Sequence, residues 1–168
     1  MRKFIYQSII EKLKEIKDES GNPVILHFDI WNNNLVYIQE EQAFYTPAVF
    51  IEFQPIQWRH QGGGAREAAV GIVLHVVTQR NEPTLNDGRY EERALRFFDL
   101  LTDINRVLHG HFKSGVEFGH DALTATQSNT DHDFDELQEN IEIFTCHAQD
   151  VSAMPVKQTI STSVKINI

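Results

Sequence analysis

The sequence predicts an α+β fold: a mainly antiparallel β-sheet packed by two amphipathic helices on one face, with an extended C-terminal arm. Three observations carry this expectation. Two stretches, Ile5 to Ile16 and Ala94 to Leu108, repeat apolar residues at three- and four-residue steps. Around them lie runs rich in β-branched and aromatic residues, grouped rather than alternating regularly with helices, which is the order of an α+β chain. Beyond Met154-Pro155, Ile160, Thr162, Val164, Ile166 and Ile168 alternate strictly with Ser161, Ser163, Lys165 and Asn167, the period of a half-buried strand. The expected organisation is one domain over residues 1–150, followed by a linker and β arm over 151–168.

The first helix follows from Ile5, Ile9, Leu13 and Ile16, with Glu11, Lys12, Lys14 and Glu15 opposite, and Ser20-Gly21-Asn22-Pro23 should stop it. Val24 to Ile30 reads as a strand, and Trp31 to Asn34 as a turn into Leu35–Ile38, a short hairpin. Pro47 and Pro55 bracket Ala48 to Phe53, whose Val49, Ile51 and Phe53 share one face of a strand. Gln61 to Ala65 is expected to be a mobile glycine loop. Ala68 to Val77 is apolar on both faces, with Val70, Ile72, Leu74 and Val76 on one and Gly71, Val73, His75 and Val77 on the other. It should be a central strand, or one whose outer face meets a partner.

Asn81 to Gly88 has the composition of a loop. The second helix should bury Ala94, Phe97, Phe98, Leu101, Ile104 and Leu108, with Glu91 and Glu92 in a first turn whose dipole favours acids. Gly110, Gly115 and Gly119 punctuate a loop or weak strand. Ala122 to Ser128 and Asn140 to Ala148 close the domain as strands, the latter with Ile141, Ile143 and Thr145 on one face and Phe144 and Cys146 on the other.

Composition bounds the function. With 41% hydrophobic content, 168 residues suffice for one core. Cys146 is the only cysteine, so it has no disulfide partner in its own chain and implies a buried thiol in a reducing compartment. A net charge of −9 with scattered Lys and Arg argues against gripping phosphates, and suits either solubility or a conduit that must not stick to DNA. Charges within Met1–Ile16 break any signal-peptide core, and no other run is long enough to span a bilayer, so a soluble, cytoplasmic chain is expected.

Catalytic patterns are weak. His109, His111, His120, Asp121, His132 and Asp133 invite a metal-dependent hydrolase, but no pair of His one helical turn apart and no Cys-x-x-Cys accompanies them. Asp131, Asp133, Asp135 and Glu142 imitate a calcium loop until Glu136 occupies the glycine position, leaving an acidic turn with Thr130 or Asp131 as a helix cap. Gln61-Gly62-Gly63-Gly64 lacks the Lys-Ser/Thr of a phosphate loop. Cys146 and His147, adjacent on a strand, point to opposite faces and form no dyad. Neither a catalytic residue nor a cofactor is assigned.

At Pro47-Ala48-Val49-Phe50-Ile51-Glu52-Phe53, followed by a glycine-bearing loop and Val70-Gly71-Ile72-Val73-Leu74-His75-Val76-Val77-Thr78, the chain resembles bacteriophage tail-terminator and tail-completion proteins. The element order of residues 1–150 looks like that of a prophage-encoded member. The resemblance implies a non-enzymatic virion protein, assembled in the bacterial cytoplasm. Such a protein forms a ring, often a hexamer, ends the tail tube and joins it to the head, with tail-tube and head-completion proteins as partners and DNA only as cargo. Candidate interface residues are Gly62, Gly63 and Gly64 of the loop, Val73, His75 and Val77 of the long strand, and Ile160, Val164, Ile166 and Ile168 of the arm. The metal-dependent hydrolase and a small accessory binding module are the competing readings.

Overall fold

The computed structural model describes residues 1–32, 44–79, 91–131 and 137–155. Helix α1 (Arg2–Leu13) buries Ile5, Ile9 and Leu13, three residues that four-residue spacing stacks on one face. It ends earlier than the Ser20-Gly21 signal suggests. The backbone N–H groups of Glu15 and Ile16 bond three residues back, to Lys12 and Leu13, tightening the last turn, and Ile16 still reaches the core. The Asp18 carboxylate then accepts from the backbone N–H groups of Ser20 and Asn22, folding the connection into a side-chain-supported turn.

Strands β1 (His27–Ile30), β2 (Ala48–Phe53), β3 (Arg59–Gly62) and β4 (Ala65–Gln79) precede helix α2 (Glu91–Leu108). Strands β5 (Lys113–Ser114), β6 (Phe118–His120), β7 (Thr124–Asp131) and β8 (Leu137–Asp150) follow it. All eight form one sheet of order β1-β2-β4-β8-β6-β5, with β3 also paired to β4 and β7 also paired to β8. The fold is therefore mixed α/β and mostly sheet.

Its spine is the antiparallel ladder of β4 and β8, continuous from Arg66 opposite Asp150 to Gln79 opposite Leu137. Each long strand carries two different neighbours along its outer side: β4 carries β3 then β2, and β8 carries β7 then β6. Among the described residues the one parallel pair is β1 with β2. The Leu35–Ile38 half of the expected hairpin lies outside the described residues, as do Asn81–Gly88 and the arm from residue 156 onward.

On one face of the sheet Val49 and Ile51 of β2, Val70, Ile72, Leu74 and Val76 of β4, and Phe144, Cys146 and Ala148 of β8 join Ile5, Ile9 and Leu13 of α1. Leu100, Ile104 and Leu108 of α2 complete the cluster. The expected role of Phe97 and Phe98 needs correction: Phe98 is exposed, and the two rings pack on each other with centroids 3.9 Å apart. Leu100 takes the core position instead, because it shares a face with Ile104 and Leu108. The opposite sheet face has its own small apolar cluster of Ala48, Phe50 and Val77, covered by Trp31, Phe44 and Leu137.

Candidate functional site

The long strand's second face carries a polar cluster inside an apolar rim. Alternation along β4 puts Val73, His75 and Val77 on that face, and the register sets Phe50 beside His75 and Glu139 beside Val77. His75 is buried. Its Nδ1 lies 2.5 Å from Glu139 Oε1 and its Nε2 lies 3.1 Å from Glu52 Oε2, while the indole of Trp31 stacks over the ring. Glu139 is itself buried, so a charge-bearing group on this face has a partner rather than water. Val73 and Val77 are buried as well, Val77 beneath the chain's own Trp31, Phe44 and Leu137.

Gly62, Gly63 and Gly64 form the tight turn of the β3–β4 hairpin rather than a loose loop. All three have positive φ, at 90°, 59° and 90°, a backbone shape that side-chain-bearing residues rarely adopt. A Cβ on Gly64 would sit 2.3 Å from the carbonyl oxygen of Ala153, so the hairpin turn holds the root of the C-terminal segment against the body.

That root has a second fastening. Asp150 accepts from Arg66 Nε at 3.0 Å and from its terminal nitrogen at 2.7 Å, and through its other oxygen from the Ser152 backbone and hydroxyl. The Arg66 guanidinium rests on the Trp58 ring, 4.4 Å from its centroid. Burial alone would raise the pKa of Asp150, but the bonds from Ser152 and Arg66 outweigh it and hold the group at about 2.

Histidines proposed for a metal separate into different roles. His111 and His120 do meet, each directing Nε2 at the hydroxyl of Ser8 in α1, at 2.8 and 3.1 Å. The Nδ1 of His120 faces the Asp121 carbonyl at 2.8 Å, which places the proton on that nitrogen and leaves Nε2 to accept from Ser8. Ser8 then accepts from His111. The three side chains thus form a directional chain that is satisfied when both rings are neutral. Burial lowers the pKa of both rings, and for His111 the nearby His120 adds to the effect.

His109 instead receives the Ala125 backbone N–H. His132, Asp133, Asp135 and Glu136 lie outside the described residues. Thr130 and Asp131, read as a helix cap, belong to β7. Among the described residues no three His, Cys, Asp or Glu side chains converge on a metal-sized site. Glu142 is buried on the helix side, accepting from Asn105 and Ser128. Cys146 is buried with its thiol pushed up to about 12 by desolvation, while His147 on the next position is exposed.

The two ends of the sheet differ in chemistry. At one end, Leu26 just before β1 and Ile30 at its last position have 52% and 58% of their surface exposed, and Tyr45 is exposed as well. Beyond β8 the described sheet has two edges: β7 presents Thr124, Thr126, Gln127, Ser128 and Asn129 to solvent, while β5, last in the strand order, is flanked by exposed Phe112 and Val116. Sequence reasoning missed the β1 edge, because it read Val24 to Ile30 only as one strand of a hairpin, and the exposure of Leu26 and Ile30 follows from the strand's place in the sheet. It also missed Ser8, since a serine on an apolar helix face carries no signal until its histidine partners arrive from a hundred residues away. No described helix is long and apolar enough to cross a membrane. The chain matches no protein-family model and no curated protein.

Proposed function

We propose that this chain is a non-enzymatic structural protein that assembles with copies of itself into a closed ring. In that reading it serves as a phage or prophage tail-terminator or head–tail joining protein, capping the tail tube, docking the head and letting DNA pass through its lumen. It would act in the virion after assembly in the bacterial cytoplasm.

The observation that supports this best is the unlikeness of two edges on either side of the β4–β8 spine, the apolar edge at β1 and the polar edge at β7. A subunit that presents unlike surfaces at opposite ends joins its neighbour head to tail, and such contacts close into rings when the rotation allows. The acidic balance, −9 overall, fits a lumen that repels the DNA sliding through it.

Light scattering and negative-stain microscopy of the purified protein test the reading. A single oligomeric mass with annular particles is expected. A protomer of 19.4 kDa persisting at high concentration would overturn it.

A further inference from the structure

We infer that His111, Ser8 and His120 form a relay that holds one proton and refuses a second: a proton taken up by the outer ring passes through the Ser8 hydroxyl to the buried ring, and the hydrogen bonds between them reverse direction. The relay lies in the seam between α1 and the sheet and does not depend on the assembly reading.

The geometry supplies a continuous path. Nε2 of His111 lies 2.8 Å from Ser8 Oγ and Nε2 of His120 lies 3.1 Å from the same oxygen, so one hydroxyl stands between two ring nitrogens. In the neutral state His111 donates to Ser8, Ser8 donates to His120, and His120 donates through Nδ1 to the Asp121 carbonyl, 2.8 Å away. A hydroxyl both donates and accepts, so the contacts on either side of it can also run the other way. His111 is half-buried and His120 is buried, which makes His111 the ring that meets solvent first.

The bonds balance at each step. A solvent proton bonds to Nδ1 of His111. The N–H bond at its Nε2 breaks as a new O–H bond forms on Ser8, and the original O–H bond of Ser8 breaks as an N–H bond forms at Nε2 of His120. His111 ends neutral, protonated at Nδ1 and accepting from Ser8, while His120 carries the charge with both ring nitrogens donating. Every hydrogen bond of the chain is kept. A second proton has no such place: with both rings charged, both Nε2 atoms donate to Ser8, the hydroxyl proton loses its ring acceptor, and two cations face each other with ring centroids 5.6 Å apart.

The surroundings favour that limit. Burial lowers the pKa of both rings, and His120 lowers that of His111 further. Lys12 of α1, beside His111, and Lys113 of β5, beside both rings, oppose added charge; Glu15 near His111 and Asp121 near His120 favour it, and Glu11 is bonded to Lys113. One proton shared by two rings titrates as a property of the pair.

NMR of the full-length protein labelled with nitrogen-15 histidine, followed from about pH 7.5 to about pH 5, tests this across the range in which histidine titrates. The ring nitrogens of His111 and His120 are expected to shift together, with a common midpoint and an uptake of one proton for the pair. Two separate midpoints with a proton on each ring of the folded protein, or no uptake at all, would overturn the relay. Ser8→Ala removes the link, so the two rings are expected to titrate apart; a common midpoint in that variant eliminates Ser8 as the connection. Should Ser8→Ala fail to fold, His111→Gln supplies an amide that donates to or accepts from Ser8 without titrating. His120 is then expected to take up the one proton, and a His120 that stays neutral across the range sinks the relay.

Discussion

The imidazole of His75 lies flat against the indole of Trp31, with ring centroids 3.8 Å apart and planes 4° from parallel. This stack closes the second face of the sheet over a buried carboxylate, so its integrity decides whether Glu139 keeps its partner.

Replacing His75 with Ala strands Glu139 in a buried site. A loss of about 1–3 kcal/mol in unfolding free energy is expected, the usual cost of leaving a buried polar group without its hydrogen-bond partner. Urea unfolding measures it, and the Trp31 fluorescence should shift in the same variant because its ring loses a face. A loss below about 1 kcal/mol would show that Glu139 finds water or another partner.

The Ser8 chain makes stability sensitive to mild acid. Burial holds the folded pKa values of His111 and His120 below 6.5, so the unfolded chain takes up these protons first as pH falls. Their contribution is complete above about pH 6.5 and is lost progressively as pH drops through that value toward the folded pKa values. The urea midpoint should therefore fall between about pH 7.5 and about pH 5.5, and fall less in the His111→Asn/His120→Asn variant. Equal slopes in the two proteins would remove the histidines as the cause.

Ser8→Ala deletes the shared hydroxyl and leaves two ring nitrogens without it. A loss of about 1–3 kcal/mol at neutral pH is expected from the unsatisfied buried groups, measured by the same unfolding curve.

The glycine turn gives a contrast between neighbours. At Gly64 both the positive φ and the Ala153 carbonyl oppose a side chain, so Gly64→Ala should cost about 1–3 kcal/mol. At Gly63 a Cβ meets nothing within 4 Å and φ is 59°, a conformation asparagine tolerates, so Gly63→Asn should be nearly neutral. Comparable melting temperatures for the two variants would contradict the close approach of Ala153.

At the root of the tail, Asp150→Asn weakens the charged bonds to Arg66, with an expected loss of about 1.5–3 kcal/mol. Because the pKa of Asp150 is held at about 2, below its ordinary 3.8, its contribution is present above 3.8 and disappears as pH falls toward 2. The variant and the parent protein should thus converge in stability in strong acid, which chemical unfolding at a series of pH values reads directly.

Much of the architecture was legible because it rests on periodicity. The bounds of β2 match the stretch between Pro47 and Pro55, and the opposite orientations of Phe144 and Ile143 follow from alternation alone. The four-residue spacing of Ile5, Ile9 and Leu13 was enough to place α1 on the core. Partnership was not legible. Nothing local in His27 to Ile30 says that the strand runs parallel to β2, and the composition of Gly62-Gly63-Gly64 reads the same for a slack loop as for a hairpin turn. On α2, Phe98 is as apolar as Leu100, and only the direction of neighbouring elements decides which of them turns inward. The same holds for Ser8, His111 and His120, whose chemistry lies in a meeting of three elements that the sequence keeps apart.

The ladder of β4 and β8 joins the middle of the chain to a segment synthesised much later. Until Leu137 to Asp150 has left the ribosome, the apolar residues of β4 lack the strand that shields one of its two edges, and closing so long a loop is slow. Such a nascent chain is prone to aggregate with its neighbours before it matures, so soluble yield should depend on expression temperature and chaperone supply more steeply than the finished protein's stability alone implies.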